Sequence, residues 1–498
     1  MHPAPDLAAD LAAAPASRRQ TMALFGLLGF SAGLPYYMFS TVLAARLTKH
    51  DVDLVLIGFF GWVQLLPTFK WTWAPLVDRF AIPGFSRFWG KRLGWIMLAQ
   101  LGIVASMVAM AFTASDASLP LTALFAVLLA FWTTTLEVAA DAWRIELGPT
   151  PETQGPLAAA NLWGYRSAMV ASGSGALIVA DHASWTAAYL VIAAAAALAL
   201  PLLATLKRDA SGTGERWVAI GTGLVASAAI LAAGVLLTAV VGWAVLAAAQ
   251  AIGISAKTNA TRAVLVIGLL PFVLLAAALP RIRRLHPDAP LRTSSLVAPY
   301  VDIFWRFGYA ALPVLAFVSF YRMGDVLTLA LSKPLEIAAG YDLTTMGVAD
   351  GVIALPSSMV GVALGAWLAV KLRLPVALAI GAATSAVGNW IFVWLWYAAP
   401  SAFVIYSATA LDQFAHGLEG AIFVVYLSML VNPRWPAAQY AFLSGFAFLL
   451  PRLIAGAGGN IQRAIGWDGF FWLSGGLSLA AVLFLPVIAR LRPREDAA

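Results

Sequence analysis

The sequence predicts an all-α polytopic membrane protein of about 14 spanning helices, arranged as two six-helix bundles with two further helices between them. Three observations predict it. The 498-residue chain is 61% hydrophobic and only 11% charged, whereas a soluble domain carries about 25% charged residues. Apolar runs of roughly 20 residues, each able to cross roughly 30 Å of hydrocarbon, recur from Thr21 almost to the C-terminus. These runs are continuously apolar rather than alternating, which excludes a transmembrane β-barrel.

Residues 1–20 are rich in Ala and Pro and are expected to form a disordered cytoplasmic N-terminus. Arg18-Arg19 resembles the start of an export signal. The apolar stretch behind it is too long for one and lacks an Ala-x-Ala site, so it reads as a retained first span. Six spans near 21–46, 54–77, 93–114, 119–143, 155–180 and 184–206 make an N-terminal bundle over 21–206. The linker 207–292 holds two additional spans near 217–249 and 262–280, flanked by the basic stretches Lys207–Arg216 and Arg281–Arg292. Spans near 304–332, 344–370, 374–398, 401–431, 436–459 and 468–489 make the C-terminal bundle over 293–490, and 491–498 form a cytoplasmic tail. Gly29-x-x-x-Gly33 and Gly361-x-x-x-Gly365 permit close helix contact. Pro35, Pro67 and Pro356 free backbone groups and let their helices bend.

An even number of spans puts both termini on one side. Of the 31 Lys and Arg residues, 20 fall in or beside loops on that side and six opposite, which assigns both termini to the cytoplasm. The formal charge of +7 therefore needs no nucleic acid to explain it. The chain has no cysteine, so disulfides, thiolate metal sites and a cysteine nucleophile are excluded. No phosphate-binding Gly-x-x-x-x-Gly-Lys-Ser/Thr and no His-Glu-x-x-His occurs. No ATP motor, cofactor or metal is expected.

Charged residues inside spans are costly and face a pathway or a partner rather than lipid. Glu137, Asp141 and Arg144 share the fourth span, and Glu137 and Asp141, four apart, lie on one face. Two carboxylates that close resist double ionisation, as a reversible proton carrier requires. A structural ion-pair network with Arg144 fits the same residues. Arg322 and Asp325 stand three apart in the seventh bundle helix and are expected to pair, for structure or for function. In the tenth, Asp412, His416 and Glu419 form a stripe of titratable groups, better explained by a hydrated cavity or proton path than by packing. Lys70, Arg166 and Arg452 are single cations in apolar helices, suited to an anionic ligand. Tyr36, Tyr37, Trp132 and Trp163 offer flat faces to sugar rings, although most aromatics in such a chain pack or form interfacial belts.

Ala-Pro-Leu-Val-Asp78-Arg79, followed by Gly90-Lys91-Arg92, resembles the Gly-x-Leu-x-Asp-Arg-x-Gly-Arg-Arg loop of the major facilitator superfamily, stretched by an insertion. In that family the loop latches the cytoplasmic ends of the bundles. The resemblance assigns Asp78, Arg79, Lys91, Arg92 and the neighbouring Arg144 to gating, and a solvated positive-side loop is the plainer alternative. Its counterpart, Gly365-Ala-Trp-Leu-Ala-Val-Lys371, lacks the acid.

Gly-Phe-Ser-Ala-Gly-Leu-Pro (29–35), Pro-Thr-Phe-Lys-Trp-Thr-Trp-Ala-Pro-Leu-Val-Asp-Arg (67–79), Asp-Ala-Trp-Arg-Ile-Glu (141–146), Gly-Tyr-Arg (164–166) and Tyr-Arg-Met-Gly-Asp (321–325) follow in order. Together they resemble the AmpG-type muropeptide permeases, which also carry a helix pair between their halves. The resemblance implies a monomeric, proton-driven importer in the inner membrane of a Gram-negative bacterium. Its cargo would be N-acetylglucosaminyl-1,6-anhydro-N-acetylmuramyl peptides, recovered for peptidoglycan recycling. One departure bears on cargo: the family's Gln-Asp is Leu136-Glu137 here. Rival readings are a permease for another acidic or amphipathic cargo, such as a siderophore or CoA ester, an intramembrane transferase, and a membrane scaffold. A transferase needs its acid or base clustered at one membrane face, whereas these charges spread over both halves.

Overall fold

The computed structural model describes residues 18–50, 61–82, 85–113, 118–148, 150–204, 273, 276–286, 289–294 and 296–491. The expected additional spans at 217–249 and 262–280 lie outside the described residues, apart from residues 273 and 276–280 of the second, as do nearly all of the N-terminal and C-terminal tails. The principal helices are α1 (Arg18–Met38), α2 (Thr41–Lys49), α3 (Ala74–Arg79), α4 (Lys91–Phe112), α5 (Leu119–Glu146), α6 (Pro151–Val170) and α7 (Trp185–Ala197). They continue with α8 (Ala298–Phe307), α9 (Ala311–Ala338), α10 (Ala354–Lys371), α11 (Leu374–Tyr397), α12 (Ala402–Leu430), α13 (Pro436–Gly456) and α14 (Gly458–Ala480). Ten helical stretches among the described residues are long and apolar enough to cross a membrane. The fold is all-helical there, and these ten stretches stand where about 14 were expected.

Several expected spans are broken. The first ends at Met38 and restarts at Thr41, with Pro35 inside the helix before the break. The second contains a 3-10 segment, Gly61–Thr72, before α3. The fifth runs from α6 through a π turn, Ala171–Gly175, into Ala176–His182. The seventh is split by Gly308, whose φ of 57° favours a residue without Cβ. The last begins at Gly458, ahead of the expected 468, and bends at Gly466, where φ is 79°.

The chain divides into two compact units, one over Met1–Pro67 and Phe80–Ile220, the other over Thr68–Arg79 and Gly221–Ala498. In the first unit, α1 packs on α6 and α4 on α5 and α7. Gly29 and Gly33 lie against the backbone of Asn161 and Tyr165, so the small residues of α1 let two helix backbones touch. In the second unit, α10 packs on α12, α9 on α13 and α14, and α11 on α12 and α14. Gly361 and Gly365 lie against the backbone of Phe414 and Leu418, the same device in the other half. An apolar cluster built around Met323, Leu327, Phe392, Phe470 and Phe471 fills the core between α9, α11 and α14.

Candidate functional site

Arg322 and Asp325 lie three apart on α9, hence on one face, and the helix buries both. The Arg322 guanidinium reaches Asp325 Oδ2 at 3.2 Å and also pairs with Glu419 of α12. His416, one turn before Glu419, sets Nδ1 3.1 Å from Asp325 Oδ2 and Nε2 3.4 Å from Arg322. One cation is thus shared by two carboxylates, with an imidazole bridging cation and acid. Glu419 is fully buried, yet its Oε1 has no hydrogen-bond partner among the described residues, and neither has Arg322 Nε. Burying charge is tolerable only when it is paired and hydrogen-bonded, and here the pairing is incomplete by one acceptor and one donor. Such a cluster can take up or release a proton by redistributing Arg322 between its acids.

Hydroxyls close the far side. Ser385 of α11 donates to Asp325 Oδ1 at 2.6 Å and lies 3.1 Å from Ser478 of α14, to which Asn389 donates at 3.2 Å. Aromatic rings wall the cluster: Tyr321 stacks on Phe423 at 5.3 Å, and Arg322 stands 5.3 Å from the Phe448 ring centroid. Arg452 lies at the same 5.3 Å from Phe448 and bonds Thr68, with the buried Lys70 two residues along the same 3-10 segment. Arg322 and Arg452 thereby belong to one cationic, aromatic region of the second unit. Asp412 lies one turn before His416 and accepts from the adjacent Gln413 at 2.9 Å.

The first unit gathers a second set. Tyr36 packs against Tyr37 at 5.9 Å and Tyr165 at 6.3 Å. Glu137 and Arg166 lie near Tyr165. Trp163 instead lies exposed in a shallow depression with Met22, Gly26 and Phe30, and Trp132 packs over Gly102 of α4. Asp141 is bound by Arg144 at 3.1 Å, while Arg144 also bonds Gln154 of α6. Arg92 pairs with Glu146 at 2.5 Å. Lys91 is half-buried and Arg79 exposed. Asp78, on α3 in the second unit, accepts from Ala437 N–H at 3.0 Å and Ala438 N–H at 2.8 Å. It caps the first turn of α13, whose free N–H groups favour an anion.

Beside that turn stands a group that the spacing did not single out. Gln439 donates to Asp302 at 2.7 Å and accepts from Arg306 at 3.1 Å, while Arg306 pairs with Asp302 at 3.1 Å. In the first unit Gln154 accepts from Arg144, which itself pairs with Asp141, and donates to the Arg144 and Gly148 carbonyls at 2.8 Å. The available signal was the shared Pro-x-x-Gln at both helix starts, Pro151 to Gln154 and Pro436 to Gln439. Glu336, buried near the end of α9 and bonded by Lys333 at 2.8 Å, was also missed.

No protein-family model matches the sequence. Over 461 residues it is 25% identical to transporter AmpG 4 of Rickettsia felis, covering 92% of this chain and 94% of that one. It is also 25% identical to the anhydromuropeptide permease of Escherichia coli, covering 93% and 79%. Among solved structures, the proton:xylose symporter XylE aligns with a TM-score of 0.58 at 15% identity, covering 96% of each chain. The E. coli fucose:proton symporter aligns at 0.55 and 13% identity, covering 94% and 97%. The fold is that of the major facilitator transporters. Its named sequence relatives are AmpG transporters and permeases, so the chain is a membrane transporter and not an enzyme.

Proposed function

We propose that this transporter is a proton-coupled importer that carries anhydromuropeptides from periplasm to cytoplasm by alternating access. The observation that carries the coupling is the Arg322–Asp325–His416–Glu419 cluster. An ion set that shares one cation between two acids changes partners when one acid is protonated, and intramembrane acids and histidines of this kind serve as proton relays. Glu137 and Asp141 are the coupling candidates of the first unit. The cargo reading rests on the AmpG-named relatives. It is supported by Arg452, Lys70 and Arg166, suited to peptide carboxylates, and by Tyr36, Tyr37 and Tyr165, which give flat faces for sugar rings. Asp78, Arg79, Lys91, Arg92 and Arg144 act as the gating set. In this reading the chain is a monomer in the bacterial inner membrane, with both termini cytoplasmic and linker 207–292 supplying two additional spans.

Uptake into proteoliposomes tests this directly. An imposed inward pH gradient is expected to drive accumulation of an anhydromuropeptide, and Glu137→Gln and Asp141→Asn are each expected to lower it at normal protein level. Uptake that ignores the gradient would sink the coupling; no uptake of any anhydromuropeptide would sink the cargo. A related permease for another acidic or amphipathic cargo is the second reading, favoured by Leu136-Glu137. Competition by a siderophore or CoA ester, with none by anhydromuropeptide, would select it.

A further inference from the structure

We propose that α9 carries the route by which protons reach the buried acid cluster, entering at Glu336 and passing along one polar stripe to Asp325. The proposal rests on the proton-coupled reading above and adds the path. Arg322, Asp325, Thr328, Ser332 and Glu336 are all buried, and at 100° per residue they occupy an arc of about 120° on an otherwise apolar helix. Met323 and Leu327 on the opposite face belong to the apolar core.

The outer end is wet. Lys333 bonds Glu336 at 2.8 Å and Asp350 at 2.7 Å; Lys333 and Asp350 are 41% and 51% exposed, Glu336 only 2%. The charge bias of the loops assigns this end to the periplasm. Asp350 sits in a π turn, Ala349–Ile353, a local widening of the kind that marks functional positions in helices. Among the described residues Tyr341 is also near enough to interact with Glu336.

The inner half holds two hydroxyl pairs. Thr328 Oγ1 lies 2.6 Å from Ser474 Oγ on α14, which also donates to the Gly324 carbonyl at 2.7 Å; one turn on, Ser478 Oγ lies 3.1 Å from Ser385 Oγ, which bonds Asp325 at 2.6 Å. Hydroxyls both donate and accept, so each pair can pass a proton by turning, and the one-turn step from Ser474 to Ser478 takes a bridging water. Ser332 bridges the outer half, one helical turn from Thr328 and one from Glu336. That step is about 5–6 Å between Cβ atoms, and a bridging water crosses it. At the inner end Asp325 faces Arg322, His416, Glu419 and Tyr321. The unpartnered Glu419 Oε1 and Arg322 Nε leave somewhere for an arriving proton and its water to bind.

The test compares uptake of an anhydromuropeptide under an imposed pH gradient with its counterflow at equal pH, in proteoliposomes of the whole chain. Glu336→Gln and Thr328→Val are expected to lower the ratio of gradient-driven uptake to counterflow about ten-fold, and Thr328→Ser to restore it. Both replacements are close to isosteric, and counterflow reports that the variants fold. A ratio unchanged from wild type in both Glu336→Gln and Thr328→Val overturns the path. A wild type whose uptake ignores the gradient overturns the coupling itself, and the path with it.

Discussion

Arg322 is the residue on which the second unit turns, because it is the shared cation of Asp325 and Glu419. Removing it takes the cation from the fully buried Glu419 and leaves Asp325 with His416 and Ser385, and breaking a buried pair from one side costs about 3–5 kcal/mol. Arg322→Ala is therefore expected to lower thermal stability in detergent measurably. Glu419→Gln keeps an acceptor for Arg322 and should leave stability near wild type while gradient-driven uptake falls about ten-fold, or about 1.4 kcal/mol in barrier. A Glu419→Gln transporter with wild-type uptake would move coupling to Glu137 and Asp141. Arg166 tests cargo charge: Arg166→Ala should weaken uptake of anhydromuropeptides more than of their uncharged disaccharide core. Equal losses would make Arg166 a packing residue. At this scale the sequence made charged residues in apolar helices conspicuous, and it paired Arg322 with Asp325 from their spacing. It did not pair Arg322 with Glu419, 97 positions away, because nothing local encodes that contact.

At the scale of elements, two helix pairs depend on glycine. Gly361 and Gly365 let α10 touch the backbone of α12 at Phe414 and Leu418, and Gly29 and Gly33 do the same between α1 and α6. A Cβ there meets backbone that cannot turn aside, and overpacking costs about 1–3 kcal/mol or more. Gly361→Ala and Gly29→Ala are each expected to lower the melting temperature in detergent, whereas Gly347→Ala, with open space around it, should not. Equal melting temperatures for all three would mean that the close approaches contribute no stability. Both glycine pairs were visible as four-residue spacings. The Gln154 and Gln439 links were not read from their repeated Pro-x-x-Gln, because a buried amide has no period of its own. It matters only through the carboxylate and guanidinium brought beside it by another segment, as Asp302 and Arg306 are beside Gln439.

For the whole molecule, the absence of cysteine makes topology directly testable. Ala399 and Arg434 are exposed at opposite ends of α12. With the termini cytoplasmic, Ala399→Cys should react with an impermeant thiol reagent from outside intact cells, and Arg434→Cys only after permeabilisation. The reverse pattern would invert the orientation read from the loop charges. What the sequence determined by itself was membrane embedding, the helical class and the order of the described spans, because each follows from local composition over about 20 residues. It also carried the likeness to AmpG permeases in short ordered motifs. Tertiary structure alone decided where Gly308 and Gly466 interrupt the helices, and which charges meet. Asp78 reaches the first turn of α13 across 360 positions, and Ser385 and Ser478 reach Asp325 from two other helices. Those contacts arise only when the helices pack, since one face of one helix does not specify what the next helix sets against it.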